Sequence, residues 1–254
     1  MSEQRERAAL VTGGALRIGR AIVDTLARAG YAVAIHSNRS RDAAEKVRDA
    51  LAARGCRACV VTGDLANHED VIALVPAAAA ALGPLTLLVN NAGMFEKDGM
   101  GALDRALFDR QFAVNLRAPL FLSEAFAAQA PAQGAAIVNI LDQRVFKPTP
   151  NFVSYALTKS ALHTATTMLA QALAPAVRVN AVAPGPILPS PRQDEAAFAA
   201  QAAALPLRRG PSPQDVADAV LYLAGARGVS GVTVAVDGGQ HIAWQTPDTV
   251  GIAE

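Results

Sequence analysis

Short apolar runs alternate along the chain with longer stretches of helical spacing. Residues 8–11 are continuously apolar and end in Thr12-Gly13-Gly14. Residues 18–29 then repeat apolar positions every three or four residues and stop at Gly30. The same alternation predicts further strands over 32–36, 56–62, 86–90, 135–141, 177–182 and 232–236. Between them it predicts helices over 40–53, 69–82, 103–129, 151–173 and 213–224, and a short helical stretch ending near Ala204. Ser40 stands where an N-cap belongs, and Pro76 is placed to kink its helix. Strands separated by helices imply parallel βαβ units with right-handed crossovers. The expected fold class is α/β: a Rossmann-like doubly wound parallel sheet of about seven strands flanked by helices. No linker composition or internal repeat divides it, so residues 1–254 read as a single domain.

Composition narrows the partners. A chain of 254 residues can bury a full core, and a formal net charge of +1 gives no electrostatic case for nucleic acid or an anionic membrane surface. Residues 1–7 are polar and charged, without the apolar core of a signal peptide, and no uninterrupted apolar run reaches the roughly 18 residues of a membrane helix. A cytoplasmic protein is expected. Cys56 and Cys59 form a Cys-x-x-Cys with no second pair at zinc spacing, at a strand start rather than a helix N-terminus. Packing is the expected role, and no metal is expected.

The turn from Thr12 to Gly19 joins the first strand to the first helix. A glycine-rich turn alone also serves as a tight connection. In this context it offers free N–H groups at a helix N-terminus, where a dinucleotide pyrophosphate binds. After the second strand, where NAD-preferring folds carry an acid, the chain reads His36-Ser37-Asn38-Arg39-Ser40, and no carboxylate appears until Asp42. Arg39, Ser37 and Ser40 suit a 2′-phosphate, so NADPH is the expected cofactor. Arg39 is alternatively a solvated helix start, and His36 a satisfied strand-end residue. Tyr155 and Lys159 lie four apart on a predicted helix and so share a face. An ammonium beside a phenol favours the phenolate, which predicts a lowered Tyr155 pKa and a general acid/base near neutral pH.

Thr12-Gly13-x-x-x-Arg17-Ile18-Gly19, Asn90-Asn91-Ala92-Gly93 and Tyr155-x-x-x-Lys159, in this order, resemble the short-chain dehydrogenase/reductase family from about Ala8 to Gly239. Two departures resemble its pteridine-reductase-like branch. Arg17 replaces the middle glycine of the first motif, and Asp142 stands where the family places a serine after the fifth strand. The His-x-x-Arg-Ser string at His36–Ser40 resembles that branch too. The resemblance implies cofactor contacts from Asp64, Leu65, Asn91, Ala92, Gly93, Pro184 and Gly185. It implies substrate contacts from Arg17, Phe95, Asp142 and Tyr155, and a water relay supported by Asn115. It also implies a substrate lid around 186–210, a pterin-like substrate and a homotetramer. Arg192, Gln193 and Asp194 are lid residues within reach of a substrate, and the tail 244–254 either covers a neighbouring site or hangs loose. The activity expected is NADPH-dependent reduction of a pterin or folate-type ring. An NADPH-dependent ketoreductase and a cofactor-binding regulatory protein without turnover remain open alternatives.

Overall fold

A computed structural model describes residues 7–190 and 192–244. Seven strands, β1 (Arg7–Val11), β2 (Tyr31–Ser37), β3 (Ala58–Thr62), β4 (Leu87–Asn90), β5 (Ala135–Ile140), β6 (Val177–Pro184) and β7 (Thr233–Val236), pair in parallel in the order β3-β2-β1-β4-β5-β6-β7. The order reverses between β1 and β4, the point at which doubly wound sheets bind ligands. Alternate side chains leave β1 on opposite faces, as a pleated strand requires. Ala9 and Val11 join the core under α1 (Arg17–Arg28) and α8 (Pro213–Gly225), with Ile22, Leu26 and Val220. Ala8 and Leu10 join the other layer, under α3 (His68–Leu82) and α5 (Ala118–Gln129), with Leu74, Leu122 and Phe126.

Several boundaries differ from the sequence pattern. The third strand begins at Ala58, so Cys56 precedes it; both cysteines are free and partly buried. Helix α3 runs on through Pro76. Pro76 and Ile72, whose carbonyl it leaves without a donor, both lie on the exposed side, where water can serve instead. Ser40 takes the N-cap position of α2 (Arg41–Ala52), but its hydroxyl makes no capping bond. The helix expected over 103–129 is split into α4 (Arg105–Phe112), a π-turn (Ala113–Arg117) and α5. Pro119 explains the break: it has no N–H to offer the carbonyl of Asn115, four residues back, and the Ala118 N–H bonds instead to Ala113, five back. Among the described residues no helix is long and apolar enough to cross a membrane. The readings of 1–6 and of the tail beyond Trp244 lie outside the described residues.

Helix α6 (Val153–Leu173) carries Tyr155 and Lys159, and its start is held from outside. Its N-cap, Phe152, sits in left-handed geometry (φ 59°) and provides no side-chain cap. The cap comes from Asp98, in the loop after β4, whose two carboxylate oxygens accept the Ser154 N–H at 3.2 and 3.3 Å. The Asp98 carbonyl accepts the Phe152 N–H at 2.9 Å. Gln111 of α4 adds a 2.5 Å bond to the Ser154 hydroxyl. Removing a capping side chain typically costs about 1 kcal/mol, and more when the orphaned donor is buried. Asp98→Ala is therefore expected to lower the thermal midpoint by about 3–6 °C, measured by calorimetry, with unchanged far-UV circular dichroism.

Candidate active site

The ends of β1 and β4 are tied together before any ligand arrives. The Thr12 hydroxyl accepts the backbone N–H groups of Asn91 and Ala92, both at 2.9 Å. The Asn91 amide donates back to the carbonyls of Thr12 (2.8 Å) and Gly13 (3.2 Å). Gly19 packs against the same knot: a Cβ there would lie 2.1 Å from the Gly13 oxygen, so only glycine lets α1 start this close. Arg17 holds the family's missing-glycine position with φ 51°, a left-handed conformation that costs a side-chain-bearing residue roughly 1–2 kcal/mol. No side chain caps α1, so its first N–H groups remain open to an anion.

Two adjoining cavities, of about 760 and 410 Å³, meet at Gly13, Ala92, Gly93 and Phe95. The larger joins the phosphate turn to Asp142, Tyr155 and Lys159 and is bordered by Pro184 and Gly185. The smaller contains His36, Asn38, Arg39, Asp64 and Leu65. Of the cofactor, catalytic and substrate residues singled out from sequence, Ser37, Ser40, Asn115 and Asp194 line neither.

The smaller cavity carries two arginines, Arg39 and Arg110, and two carboxylates, Asp64 and Glu96, and is partly prebuilt. His36 is structural: its Nδ1 accepts the Gly13 N–H at 3.1 Å, and its Nε2 lies 3.1 Å from the Gly63 carbonyl. Burial lowers its pKa, which keeps the ring neutral with the proton on Nε2. Asp64 accepts the Ala66 N–H at 2.9 Å and the Arg110 guanidinium at 3.0 Å. The Ala66 bond first, then Arg110 and Asn38, hold its carboxyl below the ordinary carboxylate range. The Ser37 hydroxyl is buried without a partner. Arg39 is exposed and has no ion pair among the described residues. An uncapped helix start in the larger cavity and an unpaired guanidinium in the adjoining one fit a phosphorylated dinucleotide.

In the larger cavity the Tyr155 hydroxyl donates to Asp142 Oδ2 at 3.0 Å, and Lys159 Nζ donates to the Ile140 carbonyl at 2.7 Å. The expected lowering of the Tyr155 pKa is corrected. Burial, then the charge of Asp142 and the bond to it, push the phenol well above its ordinary value, while Arg144 pulls the other way. Lys159 does not offset this, because its ammonium is turned to Ile140 and lies 5.8 Å from the Tyr155 ring centre. Burial lowers Lys159 to about 8, and the charge of Asp142 works against the fall. Tyr155 is thus held neutral, with its hydroxyl donating a hydrogen bond to Asp142. Asn115 is fully buried in the π-turn; its amide pairs both ways with the Met94 backbone (2.7 and 2.9 Å) and reaches the Thr158 hydroxyl at 3.2 Å. That ties the Asn-Asn-Ala-Gly segment to the turn of α6 between Tyr155 and Lys159.

Phe95 stacks on Phe152 with centroids 4.5 Å apart and meets Tyr155 edge-on at 4.7 Å. The segment that follows β6 is tied to the site at two places. Arg17 reaches the Leu188 and Pro189 carbonyls at 3.4 and 3.3 Å. Arg192 bonds Glu96 at 3.0 Å and the Phe95 carbonyl at 3.0 Å. Gln193 lines the cavity, whereas Asp194 is used as the N-cap of α7 (Glu195–Ala203). Arg144 and Phe152 were not singled out in the sequence. Arg144 bonds both Asp142 oxygens through Nη1, at 3.2 and 3.0 Å, and its place two residues after Asp142 is the one signal that pointed to it.

Residues 14–241 match the family model described as enoyl-(acyl carrier protein) reductase. The chain is 34% identical over 249 residues to a short-chain type dehydrogenase/reductase of Picea abies, covering 92% of each. It is 28% identical over 246 residues to the dihydromonapterin reductase of Klebsiella pneumoniae, covering 95% of this chain and all (100%) of that one. Among solved structures it superposes on FolM alternative dihydrofolate reductase 1 from Brucella canis, complexed with NADP, with a TM-score of 0.93, 50% identity, and coverage of 96% and 97%.

Proposed function

The chain belongs to the short-chain dehydrogenase/reductase family, and from that premise we propose that this oxidoreductase uses NADPH to reduce a pterin or folate-type ring. The observation that carries the reading is the Tyr155 hydroxyl bonded to Asp142 at 3.0 Å: an acid, not a hydroxyl, partners the tyrosine. A carboxyl group can pass a proton to a ring nitrogen, which a serine does poorly. The relatives named for dihydromonapterin and dihydrofolate reduction support the same reading.

NADPH supplies a hydride when bound. The chain's own residues hold that cofactor and manage the proton. Gly13, Arg17, Ile18, Gly19 and the open start of α1 would hold the pyrophosphate, and Arg39 with Ser37 and Ser40 the 2′-phosphate. Asn38, Asp64 and Leu65 would border the adenine, with Asn91, Ala92 and Gly93 beside its ribose. Lys159 would meet the nicotinamide ribose, and Pro184 and Gly185 the nicotinamide. Tyr155 keeps its proton at neutral pH because it is buried beside a carboxylate, and so has one to give. Asp142 lies in hydrogen-bond reach of Tyr155, and once it has taken up a proton from solvent it would pass that proton back to the tyrosine or on to the ring. Phe95 and Arg17 would seat the substrate. The same reading includes a homotetramer packed through α5 and α6, whose outer faces expose Phe121, Leu157 and Met168.

A panel of dihydrobiopterin, dihydrofolate and simple ketones, assayed with NADPH and NADH, tests the proposal. Pterin-dependent consumption of NADPH is expected; ketone turnover without it would make the chain a ketoreductase. Arg39→Ala should raise the NADPH constant about ten- to a hundredfold, the worth of a charge-assisted bond, and leave the NADH constant nearly unchanged. Lys159 is protonated below about 8 and loses its charge above, so kcat/KM should fall as pH rises through about 8. Asp142→Asn removes a charge that raises the Lys159 pKa, so in that variant the alkaline limb should move to lower pH.

A further inference from the structure

The two arginines of the smaller cavity are used differently. Arg39, on the loop after β2, has no ion pair among the described residues. Arg110, on α4, is committed: its Nη2 spans both oxygens of Asp64, at 3.0 and 3.4 Å. The pair stays open to a ligand in that cavity, because the two side chains keep 41% and 33% of their surface exposed and both residues line it. The other carboxylate of the cavity, Glu96, is bonded to Arg192.

Asp64 has acceptor capacity to spare. It already accepts the Ala66 N–H at 2.9 Å, the Arg110 guanidinium and the Asn38 amide. An ionised carboxylate has about four acceptor sites and no donor, so Asp64 can take one further N–H and repels another acceptor. Its own backbone N–H is bonded to Asp70 at 2.7 Å, which fixes the main chain from which the carboxylate hangs. Leu65, Ala92 and Val114 give the same cavity an apolar lining. Arg110 and Val114 lie four apart where α4 runs into the π-turn, so one stretch of chain supplies both a wall and the guanidinium. An apolar setting with one carboxylate acceptor to spare suits a flat ring that carries an amino group.

We propose that Arg110 is a positioning residue for the base of the cofactor: it fixes the Asp64 carboxylate to accept the 6-amino group of adenine, and so makes the cavity select adenine over a 6-oxo purine. This rests on the cofactor reading above and deepens it. The amino group donates to the carboxylate. A 6-oxo ring sets an acceptor against an acceptor at that place and leaves the charge of Asp64 unmatched. Arg110 acts on the base only through Asp64, whereas Arg39 is left for the 2′-phosphate.

The test is equilibrium binding, read from the fluorescence of the reduced nicotinamide, with NADPH, its hypoxanthine analogue (deamino-NADPH) and NADH. Wild type should bind NADPH about tenfold or more tighter than the hypoxanthine analogue, the worth of one charge-assisted hydrogen bond. Arg110→Met should shrink that preference toward one. It should also weaken NADPH and NADH by the same factor, about three- to tenfold, because the base is common to both. Arg110→Lys keeps a cation that can meet the same two oxygens and should restore most of the preference. In an Asp64→Ala background, Arg110→Met should have little further effect, as action through a single partner requires. Thermal midpoints should change little, since a partly exposed ion pair contributes little to stability. Equal binding of the two purines by wild type, or a preference that survives Arg110→Met, would overturn the proposal. So would a loss confined to NADPH, which would make Arg110 a phosphate ligand. Failure to bind NADPH at all would instead sink the cofactor reading on which the proposal rests.

Discussion

The Thr12 hydroxyl accepts two N–H groups from the end of β4, and the Asn91 amide returns two bonds to the end of β1. These four bonds close the sheet where its strand order reverses. Each is worth only about 1 kcal/mol, but together they bring the phosphate turn and the Asn-Asn-Ala-Gly segment to one rim. Gly19 exists as glycine because that rim is so tight. Met94, next along the same segment, is gripped by Asn115, and Asp98, four residues further, caps α6. The crevice geometry therefore passes from β1 through β4 to the helix that carries Tyr155 and Lys159.

On that frame the site places three ionisable groups of different sign in one buried space. Tyr155 and Lys159 respond to the same burial in opposite directions, each toward its neutral form. Asp142 opposes the loss of charge on Lys159 and reinforces the neutrality of Tyr155. Arg144 bonds to Asp142 and keeps it in place. Burial thus leaves a phenol that retains its proton beside a lysine near 8, with the carboxylate bonded to the phenol.

The fold was largely legible because buried parallel strands are unbroken apolar runs and the amphipathic helices between them repeat at 3.6. The glycine turn, the Tyr155–Lys159 pair and Asp142 were legible because each is local in sequence, and the structure brings all of them to one cavity. What was missed is tertiary. Asp98 caps a helix 56 residues away, Arg110 of α4 reaches Asp64 in the loop after β3, and Phe152 meets Phe95 only through the fold. The π-turn left a trace in Pro119, which removes the donor for the Asn115 carbonyl. The direction of the Tyr155 pKa was misread because spacing along a helix shows Lys159 but not burial, nor the carboxylate 13 residues earlier in the chain.

Tyr155→Phe tests the central claim most directly, because it deletes one oxygen and leaves the ring that packs on Phe95. If Tyr155 is the proton donor, NADPH-dependent turnover of a dihydropterin should fall by about a hundredfold or more, while NADPH binding and the thermal midpoint stay at wild-type values. Wild-type turnover in that variant would contradict the assignment.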